Sequence, residues 1–146
     1  MKVAGRWRYL HWAVDQFGQV IDVLVARKRA KAAARRFCTR ALAGATSPTE
    51  VSTDRAPAYP RIVEDVLPGA RHVTVRHVNN RVEADHGRLK ARLRPTRGMK
   101  TDRSLRITAA GHAFVQNLRR GHYELATDAT TVDRVAVAFT ELALAI

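Results

Sequence analysis

Three side chains of this sequence have the types and the spacing that metal-dependent phosphoryl chemistry uses. Glu83 and Lys90 are seven positions apart, so both project from one face of a predicted helix. Asp54 ends a short strand-like run just before Pro57, which marks the start of another helix. Carboxylates are hard oxygen ligands for a divalent metal ion, and a lysine offers a positive charge to phosphate. Asp54 and Glu83 are therefore the candidate catalytic and metal-binding residues.

Glu83 also has a purely structural interpretation. Asn80 is a suitable N-cap, and Glu83 follows it by three residues, which is the spacing of a capping box. The helix is predicted to continue until Pro95 ends it. Its inward stripe is predicted to be Val82, His86, Leu89 and Leu93. The spacing does not distinguish a metal ligand from a helix cap, so both interpretations of Glu83 stand.

The charge of the chain points to a polyanionic partner. Its 146 residues include 26 Lys and Arg against 13 Asp and Glu, a formal net charge of +13. Between positions 88 and 106 the only acid is Asp102. The candidate DNA-binding residues in this stripe are Arg88, Lys90, Arg92, Arg94, Arg97 and Lys100. The alternative is that the arginine excess reflects the codon bias of a GC-rich genome and forms a solvated surface with no partner.

Strands and helices alternate along the chain. The patterning predicts strands at 7–14, 19–25, 50–53 and 71–78, of which the first two form a hairpin across the turn at 15–18. Helices are predicted at 30–43, 57–67, about 80–94, 104–122 and 132–146. This order implies an α/β fold with a mixed sheet flanked by helices, because its first strand pair is a hairpin.

The last two helices are predicted to pack through apolar stripes. In the first of them the stripe is Ile107, Gly111, Phe114 and Leu118. In the second it is Val132, Val135, Ala136, Phe139, Leu142, Ala143 and Ile146. Such a stripe is typical of core packing, and the polar linker at 126–131 leaves open a mobile appendage or a dimer arm.

Composition argues against several classes of protein. The single cysteine, Cys38, excludes an internal disulfide framework and is interpreted as a buried structural thiol. The six histidines form no pair at zinc-ligand spacing. The amino terminus has no signal-peptide pattern, and no stretch is long and apolar enough for a membrane span. We therefore expect no membrane partner and a soluble, reducing, intracellular setting.

Four segments together resemble a known family. Residues 5–10, 53–59, 79–90 and 97–100 are similar, in order, to the catalytic domain of bacterial insertion-sequence transposases, in particular those of insertion-sequence family six. The resemblance covers residues 1–122. It implies a ribonuclease-H-like fold that carries an Asp-Asp-Glu triad. The segments Asp-Arg-Ala-Pro-Ala-Tyr and Asn-Asn-Arg-x-Glu-x-Asp-His are more specific together than either acid alone.

The resemblance assigns roles to individual residues. Asp54 matches the second catalytic aspartate, Glu83 the glutamate, and Lys90 the basic residue seven positions after it. The implied cofactor is Mg²⁺, held by the acids. The implied partner is double-stranded DNA, both transposon ends and target, with water as the nucleophile for nicking and a 3′-hydroxyl for strand transfer.

The sequence departs from the family pattern at its start. The first catalytic aspartate of the family lies before the match to Lys2 and Val3, where this chain has Met1. We therefore expect residues 1–122 to be a partial catalytic domain that lacks the first, central strand of the sheet and is inactive alone. Residues 123–146 are expected to form a linker and an amphipathic tail helix of unknown role.

Two functions remain open from the sequence. The first is DNA transposition, as an amino-terminally truncated transposase of the Asp-Asp-Glu type. The second is a non-catalytic basic DNA-binding remnant, or a regulator of a full-length transposase. Expected protein partners are further copies of the chain or a full-length transposase.

Overall fold

The fold comes from a computed structural model that describes residues 1–44, 47–74 and 80–146. The strands are β1 Lys2–Val3, β2 Arg6–Trp7, β3 Tyr9–Val14, β4 Val20–Ala26, β5 Glu50–Ser52 and β6 Arg71–Val73. The helices are α1 Lys31–Leu42, α2 Tyr59–Val66, α3 Asn80–Leu93, α4 Asp102–Arg120 and α5 Arg134–Leu144. The sequence predicts that β6 continues to position 78. Positions 75–79, which include the residue just before α3, lie outside the described residues.

The predicted hairpin is confirmed as β3 and β4. The strands pair antiparallel from Tyr9↔Ala26, with a register shift between Ala13 and Val14. The turn forms because the Asp15 carboxylate accepts the backbone N–H groups of Phe17 at 2.9 Å and Gln19 at 2.8 Å. This hairpin is the platform on which the helices pack.

A second, shorter hairpin precedes it and was not predicted. Strands β1 and β2 pair antiparallel across Ala4 and Gly5, whose φ angles of 45° and 76° are those of a tight turn. Val3 also forms a parallel bridge with Met99, and the Ala4 N–H donates to the Met99 carbonyl at 2.8 Å. The start of the chain is thereby held against the segment that follows α3.

Parallel and antiparallel pairing both occur, as the mixed sheet requires. Strands β5 and β6 pair in parallel, in the register Val51↔His72. The described strands form three separate two-stranded ladders rather than one continuous sheet. Helix α2 begins at Tyr59 with Pro60 in its first turn, so Pro57 lies ahead of the helix and not inside it.

The main core lies where α3 and α4 cover the β3–β4 hairpin. Its buried members are Trp12, Val20, Leu89, Ala109 and Ala113. A polar contact fixes this arrangement: the Asn117 side chain accepts the Val20 N–H at 2.7 Å and donates to the Val20 carbonyl at 2.9 Å. The amide therefore pairs with the β4 backbone as a neighbouring strand would.

The predicted stripe of α4 was partly wrong. Ile107 is 61% exposed and Gly111 is exposed, whereas Leu118 is buried as predicted. The buried face instead contains Leu105, Ala109, His112, Ala113, Gln116 and Asn117. Three of these are polar, so hydrophobic periodicity assigned the wrong face to the core. The helix starts at Asp102, earlier than predicted, because the Thr101 side chain caps the Ser104 N–H.

The predicted stripe of α5 does not form a core either. Ala138 is the buried residue of this helix, and it packs with Leu118 and Ala126. Val132 is 89% exposed and Phe139 is 49% exposed. A small residue faces α4 because the helices approach closely there. Phe139 lies beside this contact, with its ring edge-to-face on Phe114 of α4 at 6.3 Å.

Candidate nucleic-acid interface

Asp54 lies just beyond the end of β5, as the sequence predicts. One carboxylate oxygen accepts the Ala56 N–H at 3.1 Å, which turns the chain toward α2. The other lies 3.5 Å from the Arg29 guanidinium. The side chain is 59% exposed, so it is accessible to solvent while its charge is balanced by Arg29.

Two neutral side chains stand beside Asp54. His11 of β3 and Tyr59 of α2 meet with 3.2 Å between Nδ1 and the phenol oxygen. Burial lowers the pKa of His11, and burial together with Asp54 raises the pKa of Tyr59 to about 12. Near neutral pH both groups are therefore uncharged. His11 and Tyr59 are far apart in the sequence, and no sequence pattern predicts that they meet. Tertiary packing alone brings this pair together.

Glu83 lies on α3, which packs on the face of the β3–β4 hairpin opposite to that of His11. It is exposed in the first turn of α3, and α3 packs on the hairpin through the edge-to-face contact of His86 with Trp12 at 5.6 Å. His11 and Trp12 are consecutive in β3, so their side chains point to opposite faces. Asp54 acts electrostatically on His11, whereas the helix of Glu83 packs against Trp12.

The donor set at these acids falls short of a metal centre. Carboxylates at Asp54 and Glu83 have the right chemistry for a hard divalent ion. Among the described residues, however, no group of three or more His, Cys, Asp or Glu side chains is placed to hold a metal ion. The arrangement described does not fit a complete site, and Asp54 and Glu83 stay predicted ligands.

Asp85, two residues after Glu83, has a structural role that its position in the sequence does not indicate. It is fully buried, and its Oδ1 lies 2.6 Å from Arg120 Nη2 of α4 and 3.4 Å from Arg88 Nη1. Arg120 also donates to the Gly18 carbonyl at 2.8 Å. This ion pair ties α3, α4 and the hairpin turn together.

The basic stripe divides between different surfaces of the molecule. Lys90, Arg94 and Arg97 line a groove of about 300 Å³ together with Lys2. Helical spacing places Lys90 and Arg94 on one face, and the β1 bridge to the segment after α3 brings Lys2 to them. The rest of the lining is Met1, Leu93, Gly98 and Met99. We name this feature the cationic groove.

The other predicted DNA-binding residues lie elsewhere. Arg88 is paired with the buried Asp85, and Arg92 lines a second groove of about 380 Å³ between α3, α4 and α5. Burial, and then the charge of Arg92, lower the pKa of His112 in that second groove. Lys100 is exposed beyond the cationic groove. Residues two apart on a helix point in different directions, so the stripe could not form one continuous track.

Asp102, the one acid in the basic stripe, forms ion pairs with two arginines. Its carboxylate lies 2.6 Å from Arg8 Nε and 3.2 Å from Arg27 Nε. The Arg8 hydrogen bond, followed by the charges of Arg8 and Arg27, holds the pKa of Asp102 below its usual range. It therefore anchors the start of α4 to the hairpin.

Comparison with known proteins supports this interpretation of the fold. A chain in the cryoEM structure of the simian T-cell lymphotropic virus intasome in complex with PP2A regulatory subunit B56 gamma superimposes with a TM-score of 0.58 at 20% identity. The match covers 92% of this chain and 50% of that one. The fold class is accordingly α/β of the ribonuclease-H-like type, as predicted. No helix in the described parts of the chain is long and apolar enough to cross a bilayer.

Sequence comparison identifies the family. Transposases for the insertion sequence-like element IS431mec and for the insertion sequence element IS257 in transposon Tn4003, both of Staphylococcus aureus, are 30% identical to this chain over 97 residues. These matches cover 63% of this chain and 43% of each relative, so the chain matches less than half of their length. A family model described as a DDE domain matches residues 1–122. The chain therefore belongs to the DDE-domain transposases of insertion-sequence family six.

Proposed function

We propose that this chain serves DNA transposition by holding double-stranded DNA, a transposon end or its target, in the cationic groove. The observation that carries the proposal is the convergence of Lys2, Lys90, Arg94 and Arg97 around one groove in a domain of the DDE family. That family acts on DNA. The bacterial cytoplasm, at the nucleoid, follows as the proposed place of action.

The chemistry of the groove suits a phosphate backbone. Lysine presents a compact charge, and arginine presents a planar fork that binds phosphate oxygens in pairs. Lys90 contributes to lowering the pKa of His86, second to burial, which is the sign of a positive field at this end of α3. The Lys2 ammonium lies 5.3 Å from the centroid of the Trp7 ring and so stays at the groove.

Binding to an end-bearing duplex, followed by fluorescence anisotropy across a salt series, tests the groove. The double variant Lys90→Ala, Arg94→Ala is expected to weaken binding at least tenfold and to reduce the salt slope by about 2. The matched control is Arg36→Ala, Arg61→Ala, which removes two exposed arginines from α1 and α2. Equal losses in the two double variants would contradict a localised groove.

The proposed catalytic residues are Asp54 and Glu83. The family uses a divalent metal ion, and the ion proposed here is Mg²⁺. The test compares the chain with the Asp54→Asn, Glu83→Gln variant for Mg²⁺-dependent nicking of end-bearing DNA. Nicking that the double substitution abolishes supports catalysis. Equal nicking in both proteins removes the catalytic assignment, and nicking by neither protein is the result expected of the non-catalytic candidate below.

A second candidate function is a non-catalytic DNA-binding protein or regulator of a full-length transposase. The pairing of Asp54 with Arg29 favours it, together with the lack of a three-ligand group among the described residues. This candidate predicts tight, salt-dependent DNA binding without nicking. It also predicts that the chain inhibits a full-length transposase on the same ends, and that the Lys90→Ala, Arg94→Ala variant inhibits less.

A further inference from the structure

The ring of Trp7 lies at the rim of the cationic groove. Trp7 is directly opposite Lys2 in the β1–β2 ladder, so the two side chains project from the same face. Lys2 lines the groove, and its ammonium lies 5.3 Å from the centroid of the Trp7 ring. The Trp7 side chain is nevertheless 63% exposed. The contact with Lys2 therefore keeps the ring beside the groove and leaves most of it open to solvent.

A second exposed ring follows two residues later. Tyr9 is 39% exposed, whereas Arg8 between the two rings turns inward and lies 2.6 Å from Asp102. The Arg8 and Met1 backbones exchange two hydrogen bonds, so the chain stays extended from β2 into β3. Because side chains alternate along an extended chain, Trp7 and Tyr9 project to the same side, about 7 Å apart. We name these two residues the aromatic pair.

The charge around the aromatic pair is positive. The chain has no acid before Asp15, and both Lys2 and the exposed Arg6 flank Trp7. Exposed aromatic rings beside cations are the combination that binds single-stranded nucleic acid, because the bases stack on the rings while the cations follow the backbone. A fully paired duplex would use the cations and not the rings. The surface therefore fits a strand whose bases are unpaired.

We propose that the aromatic pair takes unpaired nucleotides, so that the cationic groove prefers DNA with an unpaired strand end over fully paired duplex. This inference rests on the proposed function, because it names the form of DNA that the groove holds. In an intact duplex the base faces are already stacked, and extruding a base costs at least as much free energy as one stacking contact returns. The rings therefore select an end that is already open.

Fluorescence anisotropy with two labelled DNAs tests the preference. Both are end-bearing duplexes with a short single-stranded overhang, made of thymidines in one and of abasic nucleotides in the other. The phosphates are the same, so only base stacking distinguishes the two. The parent chain is expected to bind the thymidine form about 5-fold to 150-fold more tightly, the equivalent of about 1–3 kcal/mol. Trp7→Ala is expected to lose most of this preference, and Trp7→Phe, which keeps a ring, to retain part of it.

The matched control is Phe17→Ala. It removes a ring that is 72% exposed in the turn at the other end of the β3–β4 hairpin, and it is expected to leave both affinities unchanged. Equal binding of the two DNAs by the parent chain, or equal effects of Trp7→Ala and Phe17→Ala, would overturn the proposal.

The Lys90→Ala, Arg94→Ala variant separates this inference from the proposed function. It is expected to weaken binding of both DNAs by the same factor, because it removes charge and keeps the rings. If it weakens neither, the cationic groove is wrong and the inference that rests on it is wrong as well. If it weakens both while Trp7→Ala changes neither affinity, the groove is supported and the aromatic pair alone is wrong.

Tryptophan emission gives a second readout that reports stacking directly. The chain has two tryptophans, of which Trp7 is 63% exposed and Trp12 is 7% exposed in the core. A base that stacks on an indole ring quenches its emission, and Trp12 is out of reach of DNA. Saturating thymidine-overhang DNA is expected to quench the parent chain and to leave the emission of Trp7→Phe unchanged. Quenching of Trp7→Phe, or none in the parent chain, would contradict stacking on Trp7.

Discussion

Replacement of Arg120 by alanine is expected to destabilise the fold more than replacement of any other single partly exposed lysine or arginine by alanine. Arg120 lies 2.6 Å from the carboxylate of Asp85, which is fully buried. Its side chain is only 23% exposed and also donates to the Gly18 carbonyl. The variant leaves Asp85 with Arg88 at 3.4 Å as its remaining cation.

The expected magnitude follows from the burial of Asp85. Removing one partner of a buried ion pair leaves an uncompensated charge and costs about 3–5 kcal/mol. Because Arg88 retains part of the pairing, we expect the lower end, about 3 kcal/mol. A domain of this size has about 5–15 kcal/mol of stability in total, so the loss is a large share of it.

Urea unfolding followed by tryptophan fluorescence measures this loss. Trp12 is a suitable reporter because it is 7% exposed and packs edge-to-face on His86 of α3. The control is the double variant Asp85→Leu, Arg120→Met, which removes both charges and is expected to recover most of the free energy of unfolding. A loss below about 1 kcal/mol for Arg120→Ala, or a double variant as unstable as the single one, would refute the reasoning.

Two further predictions concern the same core. Burial lowers the pKa values of His86 and His112, so the unfolded chain binds protons more readily. The free energy of unfolding is therefore expected to be fully present above the ordinary histidine pKa of about 6.5 and to fall as the pH drops below it. Urea titrations at pH 5 and pH 7 measure this, and His112→Phe should flatten the dependence; no slope in the parent chain would contradict it. Asn117→Leu is expected to cost about 2 kcal/mol, because it leaves the buried N–H and carbonyl of Val20 unpaired. Thermal melts check this against Thr39→Leu, at an exposed position of α1, and equal changes would argue against the Asn117 contact.

Local sequence signals predicted the helices and strands well where interactions between residues close in sequence determine them. The β3–β4 hairpin follows from an aspartate that bonds its own turn, and the predicted bounds of α1 differ from the observed ones by one residue. The short β1–β2 hairpin had a usable signal in Ala4-Gly5 between Val3 and Arg6, a two-residue turn flanked by strand formers.

Predictions of which face is buried were less successful, because burial depends on what packs against a helix. Periodicity selected Ile107 for the core of α4, yet that face meets solvent while His112 and Asn117 point inward. The whole apolar stripe predicted for α5 was assigned to the core because it is the most regular apolar pattern in the chain, yet Ala138, which is outside that stripe, is the buried residue. A hydrophobic pattern reports that a partner is favourable, and it does not say whether the partner is in the same chain.

The residue types, their order and their spacing were sufficient to establish the family, the fold class and the identity of Asp54, Glu83 and Lys90 as the residues to examine. These are properties of short segments, so they can be recognised without knowledge of the tertiary packing. The placement of those residues depended on contacts between distant segments. Arg29 meets Asp54, and the β1 bridge brings Lys2 to Lys90. Charges act through space over a few ångströms, so a stripe that is continuous in sequence was divided between the cationic groove, the second groove with Arg92 and the Arg88–Asp85 ion pair once the helices packed.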